Sequence, residues 1–379
     1  MWKNIRGYLL YFLKNFTLFF KDLNFLKTNL LKLHHLVLKI VKNILIKILD
    51  IIFINLLFIF FYPLKKRKGN GKIILLGSYY ANNNYTISDD YKGIFQSLKD
   101  IEVNFENYFF DKKNYFYSKL FLIIKILSNI DIIILSSNDT EKTECLSYFQ
   151  IYILRKIFKK KLINILWDTT EKTLIEKKEH VLKLFNSNII IDNPDFKNFH
   201  KYYEKNILIK WPMMSYSFLE KNFTSILKKE NDVCFMGQVS SHRNVRMDAI
   251  NYLKDKTKII LSTKDRKNFI SDKEYYRILS ESKISINFSY GIDCHQIKGR
   301  VFDSIFYECL VLEEKNSQIT NLFEPNKEII LFENKEDLLD KISYYLKNDL
   351  ERQNICKNAK KRLLENYNPK KFWDNLLID

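Results

Sequence analysis

Two cations and an acid, Lys298, Arg300 and Asp303, stand within six residues at the entry of a segment whose apolar positions Val301, Ile305, Phe306 and Cys309 recur at helical spacing. Cations prefer the negative, C-terminal end of a helix, so a pair at the opposite end calls for a bound anion. Backbone N–H groups, the helix dipole and two positive side chains together suit a diphosphate held without a metal ion. Asp303 follows Arg300 by three residues on the same helix face, where a carboxylate accepts both hydroxyls of a ribose or, more plainly, pairs with Arg300. Phosphate and diol recognition within one turn suggests a nucleotide.

Four further residues are candidates. Gly237 follows a buried apolar run and lets backbone approach a phosphate, with Arg243 neutralising it; the plainer reading is an ordinary strand-to-helix turn with a solvated arginine. His295 lies in a loop four residues after Gly291 and could orient a sugar or a phosphate. Asp168 ends an apolar run finishing at Trp167, where a base for an acceptor hydroxyl would sit, or where a helix cap would. Asp-x-Asp occurs nowhere, and neither Cys nor His has metal-ligand spacing, so no metal site is expected.

These residues need strands and helices to hold them. Ile284, Ile286 and Phe288 alternate as a strand, a loop carries Gly291 and Gly299, a helix follows, and Cys309 to Leu312 forms a second apolar strand. The same alternation runs along most of the chain. Strands are expected over 72–76, 130–135, 162–167, 188–191 and 207–209, then over 233–236, 258–261 and 328–332. Helices are expected near 91–98, 118–127, 144–158, 245–253, 274–281, 335–346 and 350–365. Alternating strands and helices mean parallel sheets covered on both faces, with ligands beyond the strand C-termini. The loops starting at Gly77, Ser136 and Asp168 should therefore line a cleft. Gly69-Asn70-Gly71 closes a segment 1–68, fading periodicity between Trp211-Pro212 and Asn231 separates an α/β domain 69–212 from a second one 231–368, and Pro369 starts a terminal helix 369–379.

The run Lys-Gly-Arg-Val-Phe-Asp at 298–303, followed by a short apolar strand ending in acids, resembles the donor-binding half of GT-B fold glycosyltransferases, more narrowly the group-1 and spore-maturation-like branch. The likeness covers roughly Asp232 to the C-terminus. It implies two Rossmann-like domains, a nucleotide-sugar donor bound by Gly237, Arg243, Lys298, Arg300 and Asp303, and a glycan or lipid-linked acceptor in the N-terminal domain. It also implies that the C-terminal tail crosses back to the first domain. No cofactor is expected, the nucleotide-sugar being a substrate. Glu308 stands where the family has glycine, Asp303 replaces the commoner glutamate, and His295 holds the position where retaining relatives place a glutamate.

The chain carries 62 Lys and Arg against 44 Asp and Glu, a net charge of +18. Residues 1–70 hold 13 of these cations against two acids, Asp22 and Asp50, an excess of +11. Lys3, Lys14, Lys21, Lys32 and Lys39 return to one helix face while the other faces are apolar. That pattern describes a basic amphipathic segment on an anionic membrane surface, peripheral or single-pass, with Lys65 to Lys68 on the cytoplasmic side. A soluble helical hairpin is the alternative. Charge gathered in one segment, and no recognised RNA or DNA motif, argue against a nucleic-acid partner. Non-catalytic sugar-nucleotide binding and nucleic-acid binding remain the rival functions. Five scattered Cys fit reduced, buried thiols.

Overall fold

The computed structural model describes residues 72–78, 89–110, 115–136, 146, 148–166, 182–190, 207–209, 215–222, 228–237, 239, 244–261, 270–289, 297–374 and 376–377, with nine positions between 36 and 56. Residues 1–66 and 67–379 form two separate compact units. In the first unit the nine positions are helical and all apolar. Val37, Val41, Ile44, Ile48, Ile52 and Leu56 follow one another at three- or four-residue intervals, and all six are exposed. Among the described residues no helix is long and apolar enough to cross a membrane. The lysines that define the expected basic face lie outside the described residues.

The second unit contains two parallel sheets. The first has six strands, β1 (Ile73–Ser78), β2 (Phe105–Phe110), β3 (Ile132–Ser136), β4 (Lys161–Leu166), β5 (Ser187–Ile190) and β6 (Ile207–Ile209), in the order β2-β1-β3-β4-β5-β6. Runs such as Ile73–Leu76 and Ile132–Leu135 are buried throughout, because helices α1 (Asp89–Asp100), α2 (Tyr115–Asn129) and α3 (Tyr148–Lys156) leave neither sheet face to water. Each such isoleucine or leucine contributes about 1.5–3 kcal/mol of burial.

The second sheet has five strands, β7 (Asn231–Phe235), β8 (Ile259–Leu261), β9 (Ser282–Asn287), β10 (Leu310–Glu314) and β11 (Ile330–Phe332), in the order β11-β10-β9-β7-β8. Helices α5 (Asn244–Lys254), α6 (Asp272–Glu281), α7 (Gly299–Phe306), α9 (Lys335–Lys347) and α10 (Asp349–Asn366) accompany it. Strand order reverses between β1 and β3 in one sheet and between β7 and β9 in the other, and such reversals open a crevice at the strand C-termini.

Among the described residues three elements were not anticipated, one of them the four-residue helix α8 (Ser317–Thr320), capped by Asn316. The edge strand β2 has Glu106 and Asn107 inside an otherwise aromatic run, with Glu106 paired to Lys125 on α2, so its apolar pattern is broken. The expected interdomain connection contains helix α4 (Tyr216–Asn222), opened by Ser215, whose Oγ accepts from Phe218 N at 3.1 Å. Tyr216 and Leu219 bury their side chains in the core of the second sheet; Tyr216 stacks on Phe306 with centroids 5.3 Å apart and donates its hydroxyl to Tyr367 O at 2.6 Å.

The chain returns to the first sheet at its end. Helix α11 (Pro369–Trp373) is capped by Asn368, and Phe372, Trp373 and Leu376 complete the core around β1, β3, β4 and β5. Trp373 Nε1 donates to Ser97 Oγ of α1 at 3.0 Å, and Ser217 Oγ of α4 donates to Asp100 Oδ1 at 2.6 Å. Among the described residues Cys234, Cys309 and Cys356 are free, buried thiols.

Candidate active site

Helix α7 is held by its apolar face: Val301, Phe302, Ile305 and Phe306 are buried. Lys298 occupies the N-cap, one position outside the first turn, and Arg300 is the second helical residue. The far end closes as a Schellman motif, with Cys309 N donating to Ser304 O at 2.9 Å and Glu308 N to Ile305 O at 3.0 Å. Glu308 takes φ 54°, the left-handed conformation that glycine adopts at no steric cost.

Arg300 does not extend into water. Its side chain crosses the C-terminal ends of β7 and β9, where strand order reverses. Nη1 donates to Met236 O at 2.9 Å, Nε donates to Asn287 Oδ1, and the guanidinium lies over the Phe235 ring, 5.6 Å from its centroid. Gly237 is the residue against which the guanidinium rests: a Cβ there would stand 2.1 Å from Arg300 Nη1 and 2.9 Å from Phe235 Cζ. The glycine expected to admit a phosphate therefore admits an arginine. At Gly299, by contrast, an added Cβ would meet nothing within 4 Å.

Asp303 faces a cluster of tyrosines. Tyr275 of α6 donates its hydroxyl to Asp303 Oδ2 at 2.8 Å. Burial first, and the Asp303 charge second, hold the Tyr275, Tyr216 and Tyr307 phenols well above their ordinary range. These tyrosines thus stay neutral donors around an acid.

A polar layer that the strand pattern did not reveal lies beneath Arg300. Asn287, Ser289, Glu313 and Asn316 are all buried. Asn287 pairs in register with Glu313 across β9 and β10, and its Nδ2 donates to Glu313 Oε2. Asn316 Nδ2 donates to Ser289 Oγ at 3.0 Å and Glu314 O at 2.9 Å, and lies 3.3 Å from Glu313 Oε1. Glu314 Oε2 accepts from Ser289 N at 3.0 Å, tying the loop after β9 to β10. Burial raises the Glu313 carboxyl to about 8 against the pull of Asn287 and Arg300.

Arg246, on the first turn of α5, is a further cation at this strand end, and unlike the half-buried Arg300 it is fully buried. It donates Nη2 to Phe288 O at 3.1 Å and lies over the rings of Phe235 and Phe288. Its signal in the sequence was its place three residues after Arg243, one helical turn on. Arg243, His295 and Asp168, and the loops after Gly77, Ser136 and Trp167, lie outside the described residues. The structure thus brings Gly237, Arg300, Lys298 and Asp303 to one end of the second sheet.

Comparison with known proteins gives a family match for part of the chain and a similar fold for most of it. Residues 231–378 match the family described as Glycosyl transferase-like. Among solved structures, the fold is similar to that of HepE from Anabaena in complex with UDP-glucose, at TM-score 0.52 and 11% identity over 80% of this chain and 98% of that one. It is also similar to an alpha-glucosyltransferase in complex with UDP-glucose and DNA containing an abasic site, at TM-score 0.57 and 12% identity, again over 80% and 98% of the two chains. A glycosyltransferase from Rickettsia africae ESF-5 matches at TM-score 0.52 and 12% identity over 81% of this chain and 96% of that one. No sequence among curated proteins matches the chain.

Proposed function

We propose that the chain, whose residues 231–378 match the glycosyl transferase-like family, is a transferase that moves a sugar from a nucleotide-sugar donor to a glycan or lipid-linked acceptor at the cytoplasmic face of a membrane. The observation that carries the proposal is Arg300 fixed across the ends of β7 and β9, at the crevice where parallel sheets bind ligands, beside the positive end of α7. In this reading Arg300, Lys298 and Arg243 stabilise the departing nucleoside diphosphate as the glycosidic bond breaks, without a metal ion. Asp303, held by Tyr275, accepts the ribose hydroxyls. Asp168 takes the acceptor proton and His295 orients the sugar.

The acceptor would meet the first sheet, and the segment 1–68 would hold the enzyme at the lipid surface. The exposed apolar positions from Val37 to Leu56, together with the lysines and arginines concentrated in residues 1–70, support an anionic membrane surface over a nucleic acid as the partner.

Thermal-shift titration with UDP, GDP and ADP tests the donor site, because a bound ligand raises the melting temperature by mass action. One of the three should stabilise the wild type, and Arg300→Ala should abolish the shift. No shift with any of them, or an unchanged shift in Arg300→Ala, overturns the assignment. Deleting residues 1–66 should release the protein from anionic vesicles and leave the nucleotide shift intact. Salt-sensitive RNA or DNA binding that vanishes with that deletion would favour the nucleic-acid reading.

A further inference from the structure

The Arg300 guanidinium is only as well placed as the groups that hold it. Its Nε donates to Asn287 Oδ1, and Asn287 Nδ2 donates to Glu313 Oε2. A guanidinium has no acceptor, so Asn287 turns Oδ1 to Arg300 and Nδ2 to Glu313, whose Oε2 accepts whether or not the carboxyl is ionised. Glu313 therefore selects the rotamer of Asn287, and Asn287 the plane of Arg300. The register pair Glu313–Asn287 sits on adjacent strands, so backbone hydrogen bonding fixes the spacing of the relay. Both side chains are 1% exposed, and a buried group of this kind is hard to keep without its partners.

We propose that Glu313 and Asn287 are positioning residues for the donor diphosphate: they aim Arg300, and the charge on Glu313 sets how strongly Arg300 attracts an anion. The proposal rests on the reading that Arg300 meets the diphosphate. The groups facing Glu313 are Asn287 and Ser289 at the end of β9, Arg300 of α7, its neighbour Glu314, and Asn316 at the cap of α8 (Ser317–Thr320). Burial brings its titration to about 8, within reach of ordinary buffers. Ionised, Glu313 compensates Arg300 from behind; protonated, it leaves the arginine's charge to the ligand. A bound diphosphate disfavours that ionisation, so its binding is coupled to proton uptake.

The test is calorimetric titration of the full chain with UDP, GDP and ADP between pH 7 and 9, on wild type, Glu313→Gln, Asn287→Ala and Arg300→Ala, with uridine as a neutral probe. Glutamine keeps an acceptor for Asn287 and cannot ionise. Wild-type affinity for the diphosphate should fall as pH rises through about 8, about tenfold if binding raises the Glu313 pKa by one unit. In Glu313→Gln the fall should vanish, and uridine binding should be flat in both. Asn287→Ala should weaken the diphosphate about tenfold at pH 7 and leave uridine unchanged. If no diphosphate binds the wild type, or Arg300→Ala binds it equally well, the donor-site reading fails. If Arg300→Ala loses binding while Glu313→Gln follows the wild-type pH profile, the relay is refuted and the donor site stands.

Discussion

Replacing Gly237 with alanine distinguishes two physical uses of one glycine. The added Cβ would stand 2.1 Å from Arg300 Nη1, 3.1 Å from Arg300 Cζ and 2.9 Å from Phe235 Cζ. The guanidinium must withdraw and give up its bond to Met236 O. A hydrogen bond to a charged group contributes about 1.5–3 kcal/mol, which converts to roughly 10- to 150-fold in affinity if the arginine serves a ligand in that position. Crowding of the Phe235 ring adds about 1–3 kcal/mol of destabilisation, visible separately in urea melts. The assay is nucleoside diphosphate affinity by calorimetry for Gly237→Ala, Arg300→Ala and the double variant. If the glycine exists to seat Arg300, the alanine should cost about tenfold or more in the wild type and little once Arg300 is gone, a non-additivity expected of groups in contact. Equal cost in both backgrounds would mean that the glycine serves the ligand's phosphate directly. Wild-type affinity in Gly237→Ala would refute any role for the Arg300 geometry.

The other expectations are shorter. Glu308→Gly should stabilise the fold by about 0.5–1 kcal/mol, because relief of the φ 54° conformation outweighs loss of the half-exposed pair with Lys360 at 2.8 Å; a lower urea midpoint would show that the ion pair dominates. Gly299→Ala meets empty space and should hold or raise stability, by up to about 1 kcal/mol, while weakening diphosphate binding several-fold; unchanged binding would move the ligand away from the α7 entry. Trp373→Ala should cost about 3–5 kcal/mol and speed hydrogen exchange in β1 and β3, whose core it joins; exchange altered only in the tail would show the crossing helix to be dispensable. Glu313 also predicts a pH slope. Its carboxyl titrates at about 8 in the fold and near 4.5 when unfolded, so the folded state binds the extra proton. That contribution is full below pH 4.5 and lost as pH rises toward 8, at no more than about 1.4 kcal/mol per pH unit, and urea melts of Glu313→Gln should lack it.

The unit from β9 to β10 was legible because its physics is local. Ile284 and Ile286 bury on alternation, Val301 and Ile305 bury at helical spacing, and the two periods change at a loop. Strand β2 was hidden by Glu106 and Asn107, tolerable at a sheet edge, and α4 by its seven-residue length, too short for a period to register. The Asn287–Glu313 relay was hidden for a different reason. Two adjacent acids at the end of an apolar strand carry no sign of what they bond, and in a strand covered on both faces Glu313 is 1% exposed. Its partner is 26 residues away, set by a register that no local pattern specifies. Gly237 shows the same division. A glycine after a buried strand announces a close approach but not what approaches, and only the folded chain brings an arginine from 63 positions further on to rest against it. Local periodicity thus names the elements and the residues with chemistry, while long-range register decides which of them touch, and a site built at a strand-order reversal depends on the second.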